Sequence, residues 1–155
     1  MKFSAKEDIA APADFVFDQI VDFDSFEEQA QRRGAEIERI SPPGHVGQGM
    51  KWDIRFNFRG RQRKMKTELQ NFDAPNELTF YSRVGGLQIT TQIDVIPLAQ
   101  SKTRIAMSFD LKPTSLSARL LLQSMRLIKG NLTKRYKARV QDYATELQGR
   151  YQNQR

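Results

Sequence analysis

The residues of this chain that could do chemistry are few and scattered. His45 is the only histidine, and it stands in the Pro42–Gly49 loop with no second histidine or cysteine to complete a metal site. The chain has no cysteine, which excludes disulfides and thiol nucleophiles. A serine nucleophile of the hydrolase kind would need a Gly-x-Ser-x-Gly elbow, and none is present. Gly44, Gly47 and Gly49 lack the Gly-Lys-Ser/Thr ending and the following helix of a phosphate loop, so they read as a turn entering a strand. The sequence thus names no catalytic residue, no metal ligand and no cofactor.

What remains is a set of hydroxyl groups placed among apolar side chains. Met50, Trp52, Ile54, Phe56 and Phe58 alternate with Lys51, Asp53, Arg55, Asn57 and Arg59, the period-two pattern of a half-buried strand. The same alternation puts Met65, Thr67 and Leu69 on one face, then Leu78, Phe80 and Ser82. It continues with Leu87, Ile89, Thr91, Ile93 and Val95, and closes with Thr103, Ile105, Met107, Phe109 and Leu111. Gly60, the Asp73-Ala74-Pro75-Asn76 cluster and Gly85-Gly86 supply turns between these runs.

An apolar wall with a few placed polar groups is what orients a small hydrophobic ligand. The candidate lining residues are Trp52, Phe56, Met65, Phe80, Ser82, Thr91, Met107 and Phe109 on strands, with Met125 and Ile128 on a later helix. The methionines suit a pliable wall. The competing reading is plain core packing, with Thr67, Ser82 and Thr91 bonded to backbone carbonyls or buried water. No Asp, Glu or Lys falls at the inward positions from Met50 to Leu111. General acid–base catalysis therefore has no evident agent there, and binding is preferred over reaction.

The elements that must position these faces follow from the flanking sequence. Phe3, Ala5, Glu7 and Ile9 alternate as a first strand. Pro12 suits the start of a short helix, with Asp14 in its first turn complementing the helix dipole. A second short helix is predicted over Ser25–Arg33, stopped by Gly34. Ile37 opens a short strand that ends at Ser41-Pro42-Pro43-Gly44. After the last strand, one uninterrupted helix is predicted from Leu116 to about Arg150. On a 100° wheel Ala118, Leu121, Leu122, Met125, Ile128, Leu132, Tyr136, Val140, Tyr143, Ala144 and Leu147 share one sector. Gly130 implies a close contact or a bend. Leu116, Leu120 and Leu127 form a second row on the far side, either packed under the short helices or free to dock on a bilayer.

One apolar face per strand indicates an antiparallel sheet covered on one side. The fold class expected is α+β: a curved sheet of about seven strands wrapped around a long C-terminal helix, with two short helices after the first strand. A length of 155 residues fits one domain, 1–155.

The composition is that of an ordinary water-soluble chain, with 39% hydrophobic and 28% charged residues. It holds no apolar run long enough to span a bilayer, and Met1-Lys2-Phe3-Ser4 lacks the apolar core of a signal peptide, which makes the cytoplasm the expected location. The net charge of +7 is uneven, with −5 over residues 1–50, +6 over 51–66 and +8 over 112–155. Arg61, Arg63, Lys64, Arg119 and Arg126 are the candidate contacts to an anionic membrane surface. Nucleic acid is a poor fit, because the charged strand faces carry no aromatic row for base stacking and no reader motif is present. A basic interaction module with a filled interior is the remaining alternative.

Ile9-Ala10-Ala11-Pro12-Ala13-Asp14-Phe15-Val16-Phe17 is similar to the "I-x-A-P-x-x-x-V-F" start of the START-like (SRPBCC) superfamily. Asp22-Phe23-Asp24-Ser25-Phe26 resembles its following "D-x-x-x-[YF]" step. Where many members then have Pro and Trp, this chain has Glu27-Glu28-Gln29. The order of elements resembles the same group, which includes polyketide cyclases, Bet v 1-like and coenzyme Q-binding proteins. The resemblance implies a helix-grip fold with an apolar cavity between sheet and C-terminal helix. It also implies a small hydrophobic ligand such as a lipid, quinone or aromatic polyketide-like molecule, carried, chaperoned or sensed. A cyclase or dehydratase using the same cavity is the enzyme alternative. No catalytic residue is transferred by these motifs.

Overall fold

The computed structural model describes residues 1–40 and 44–154. The predicted turn residues Ser41, Pro42 and Pro43 lie outside them. Seven antiparallel strands form one sheet in the order β1-β7-β6-β5-β4-β3-β2. They are β1 (Lys2–Ile9), β2 (Glu36–Arg39), β3 (Lys51–Phe58), β4 (Arg61–Asp73), β5 (Glu77–Val84), β6 (Leu87–Ala99) and β7 (Lys102–Pro113). From β2 to β7 each strand pairs with its successor, and β1 closes onto β7 at the opposite edge. Helices α1 (Ala13–Ile20) and α2 (Phe23–Arg32) follow β1, and α3 (Leu116–Arg126) and α4 (Lys129–Asn153) follow β7.

Local chemistry accounts for the joints. Asp22 caps α2 by accepting from the Ser25 amide, and Ser115 caps α3 by accepting from the Ala118 amide at 3.1 Å, each satisfying a donor that the first turn leaves unpaired. Arg59 and Gly60, with φ of 53° and 73°, make the two-residue turn whose twist suits a β-hairpin. Gly86 is required by proximity, since a Cβ there would land on the Ser115 hydroxyl. The β5–β6 turn is thereby pinned to the start of α3, and Thr114 bonds the Gly86 carbonyl as well.

The predicted single closing helix is two helices. Ile128 takes φ −116° and ψ 14°, outside helical values, so the chain breaks just before Gly130. Gly130 meets nothing within 4 Å of a built Cβ, so no close contact dictates the break there. Packing does. Leu122 of α3 packs with Phe3 and Leu111 in one cluster, whereas Val140, Ala144 and Leu147 of α4 belong to a larger one with Ile9, Val16, Trp52, Leu69, Leu78 and Ile105. The two clusters lie at opposite ends of β1 and β7, and the break lets α3 seat on one while α4 seats on the other. Of the predicted inner stripe only Ile128, at the break, is exposed.

Candidate functional site

The strand register builds the concave face in rows. One row runs Trp52, Thr67, Ser82, Ile89 and Leu111; the next runs Leu69, Phe80, Thr91, Phe109 and Phe3. A third carries Ile54, Met65, Val84, Leu87 and Pro113. Helix α4 packs chiefly along β1, α3 on β7, and α2 on β2. The inner faces of β4 and β5 are thus covered at Leu69 and Leu78, which share a cluster with Val140, Ala144 and Leu147 of α4, and only half-buried at Met65, Thr67, Phe80 and Val84.

The consequence is visible in burial. Met65, Thr67, Phe80, Val84, Leu87, Ile89, Thr91, Met107 and Phe109 point inward yet remain partly open to solvent, as do Met125, Leu132 and Tyr136 on the helical side. Tyr136 packs against both apolar clusters and meets Phe109 edge-on at 4.9 Å. These residues form a half-buried apolar strip along the concave face, here called the groove; the clefts at Ala30, Arg33 and Phe56 and at Met1, Arg119 and Leu122 lie outside it.

One end of the groove is closed by aromatic rings. Phe23, at the start of α2, lies edge-on to Trp52 at 5.3 Å and to Phe80 at 6.2 Å, and Trp52 is 6.1 Å from Phe80. The Trp52 indole N–H donates to Glu27 at 2.9 Å, and Glu27 also accepts from Arg39 at 2.8 Å. Arg39 in turn reaches Asp24, so α2 is locked to β2 and β3 by charge-assisted bonds. Glu27 stands in the segment where the sequence departs from the Pro and Trp of related chains, and here it holds the tryptophan of β3.

Beside this closed end, the Thr67 and Ser82 hydroxyls bond each other at 2.8 Å across β4 and β5. Each hydroxyl carries one proton, so the pair uses one and leaves the other for a third group. Burial raises the Tyr136 phenol above its ordinary pKa and pushes that of Tyr143 up to about 12. Both hydroxyls stay protonated near neutrality and are potential donors.

The candidate lining residues therefore fall in three places. Trp52, Met65, Phe80, Ser82, Thr91, Met107, Phe109 and Met125 lie along the groove. Phe56 lines a separate cleft of about 360 Å³ with Ala30, Arg33, Gly34, Ala35 and Asn57, beyond the start of β2. Ile128 is turned out at the helix break and 47% exposed. Tyr136, Leu132, Val84 and Phe23 also belong to the surroundings of the groove. The first two stand in the predicted helix stripe, but nothing in the sequence alone separates a stripe residue that seals the core from one that borders an opening.

The fold is the helix grip, a class of sheet-and-helix domains. The model of the polyketide cyclase / dehydrase and lipid transport family matches residues 1–148, and the chain belongs to that family. Among solved structures, it is similar to a norcoclaurine synthase from Thalictrum flavum, at 15% identity and a TM-score of 0.68 over 98% of this chain and 96% of that one. It is also similar to the ZhuI aromatase/cyclase of Streptomyces sp. R1128, at 12% identity and 0.65 over 94% and 93%. A START superfamily protein of Mycobacterium smegmatis shares 15% identity and a TM-score of 0.54 over 86% and 95%. At these identities the likeness is one of fold. No curated protein matches the chain.

Proposed function

We propose that this protein binds a small hydrophobic molecule, of the size of a lipid chain, a quinone or an aromatic polyketide-like compound, along the concave face of the sheet, and acts as its carrier, chaperone or sensor. The observation that carries this reading is the run of inward apolar residues on β4 to β7 that the helices leave partly open. A groove whose sole task was packing would gain by closing, since each buried methylene contributes about 0.8 kcal/mol. The aromatic end, the spare hydroxyl proton of the Thr67–Ser82 pair and the Tyr136 phenol give such a guest a stop and points of orientation.

Exchange of that guest at an anionic membrane is part of the proposal. Leu116, Leu120 and Leu127 are 72%, 56% and 89% exposed, so they do not pack under α1 and α2. Arg119, Arg126 and Lys129 accompany them, and no acidic residue occurs between Asp110 and Asp142. An apolar row with a basic margin is the pattern of a helix lying in a lipid interface. Arg61 and Lys64 on the β3–β4 hairpin are exposed as well. The cytoplasm is proposed as the site of action.

The test is native mass spectrometry of freshly purified protein, followed by extraction and identification of whatever is released. A discrete apolar adduct is the expected result. A bare chain, with no thermal shift across a panel of lipids, quinones and polycyclic phenols, would overturn the reading.

A further inference from the structure

Arg63 is a charged residue of this face whose Nε finds no partner among the described residues. Its register partner is Phe56, and it alternates along β4 with Met65 and Thr67, so it shares their inward side. The side chain is half-buried, and its Nε is shielded from solvent without a hydrogen-bond partner among the described residues. A guanidinium cannot shed its charge to relieve this, and a buried donor left unpaired is unfavourable. Arg63 makes no ion pair among the described residues: Phe56 stands across from it, Met65 is next on its face, and the cleft beside Phe56 is lined by Ala30, Arg33, Gly34, Ala35, Phe56 and Asn57. That lining brings a second cation and no carboxylate.

Resting on the ligand-binding reading above, we infer that the guest is an amphiphilic anion whose headgroup pairs with Arg63 while its apolar body lies over Met65 toward the Thr67–Ser82 pair. Turning of the side chain on binding would free the shielded Nε–H, so that Nε–H and Nη–H together form a fork that two oxygens of a carboxylate or a phosphate satisfy. Arg63 and Thr67 share one strand face four positions apart, roughly 13 Å along the backbone. A headgroup at Arg63 and a second polar atom about that far along the ligand would engage both.

The experiment titrates the protein, by tryptophan fluorescence at submicellar concentrations, with four probes of equal chain length: dodecanoate, dodecyl phosphate, dodecanol and dodecyltrimethylammonium. The wild type is expected to bind at least one of the two anions about tenfold or more tighter than dodecanol, and the ammonium weakest. Which anion leads separates a carboxylate from a phosphate headgroup. In Arg63→Gln the anion preference is expected to fall to within about twofold with dodecanol affinity kept, and Arg83→Gln, exposed on the outer face of β5, should retain it. The ligand-free melting temperature of Arg63→Met should be unchanged or raised, because the substitution removes an unpaired donor; a marked drop would give Arg63 a structural role and overturn the inference. Dodecanol binding as tightly as the anions, or Arg63→Gln keeping the preference, would also overturn it while leaving the ligand-binding reading intact. Failure of all four probes to bind would count against both.

Discussion

The two apolar clusters under this sheet are made of the same residue types and are finished differently. The larger is sealed from three sides by α1, α2 and the second half of α4, and Ile9, Leu69, Ile105 and Leu147 are fully buried in it. The smaller has Phe3, Leu111 and Leu122 at its centre, and half-open Leu87, Ile89, Phe109, Met125 and Leu132 around them. The larger has a deep, fully buried centre with a half-buried margin that includes Phe80 and Met107; the smaller has three buried residues and is mostly margin, and the groove runs along both margins. A domain of this size can keep an open apolar face because the closed half supplies its stability.

That division predicts the largest difference between the two regions. Leu147→Ala should cost about 2–5 kcal/mol, by lost transfer energy and the cavity left behind, read from chemical denaturation. Leu127→Ala, at 89% exposure, should stay within about 0.5 kcal/mol, yet weaken binding to anionic vesicles. Equal losses would erase the distinction.

Alkaline pH sharpens it next. Tyr143 packs against the sealed cluster, and burial, the dominant cause, raises its pKa from 10.0 to about 12. Its folded pKa exceeds the unfolded value, so the fold binds this proton more tightly. The associated stability is complete below pH 10 and is lost as pH rises from 10 to about 12. A shift of that size is worth roughly 2–3 kcal/mol, and Tyr143→Phe should remove this share of the alkaline decline.

Smaller effects are expected at the closed end of the groove. Glu27→Ala leaves both the Trp52 indole and Arg39 short of an acceptor and should cost about 1–3 kcal/mol. Replacing Ser82 alone with Ala should be worse than pairing it with Thr67→Val, because the double change leaves no orphaned hydroxyl. The coupling is measurable in a double-mutant cycle. The smallest effect belongs to Asp8, whose exposed carboxyl is held below its ordinary pKa chiefly by the Arg104 hydrogen bond. Its contribution is present above the ordinary carboxylate pKa and lost as pH falls through the folded value, and Asp8→Asn should barely move the melting temperature at pH 7.

How much of this the sequence disclosed depends on the length over which a residue's environment is decided. Inward alternation on β3 to β7 is a local property, and the rows through Trp52, Ser82 and Phe109 were readable from it. The break at Leu127–Ile128 was not, because the apolar period runs across it unbroken. It is set by two clusters at opposite ends of β1 and β7, with Phe3 and Leu111 in one and Ile9 and Ile105 in the other. The same period-two logic that turns Met65 inward also turns Arg63 inward, and grouping Arg63 with the exposed Arg61 and Lys64 passed over that parity. The Glu27–Trp52 bond joins residues 25 apart, a contact that only the docking of α2 creates. Whether Leu120 packs or faces water likewise depends on where α3 lands.

The five methionines offer the most direct test of the central claim. Met65, Met107 and Met125 border the groove and are half-open, whereas Met50 is fully buried in the sealed cluster. With methyl-labelled methionine, NMR titration with the amphiphile that binds most tightly should shift the resonances of Met65, Met107 and Met125 and leave Met50 in place. Resonances that all stay fixed at saturation, or a Met50 that moves as far as the others, would contradict a ligand site on the open face of the sheet.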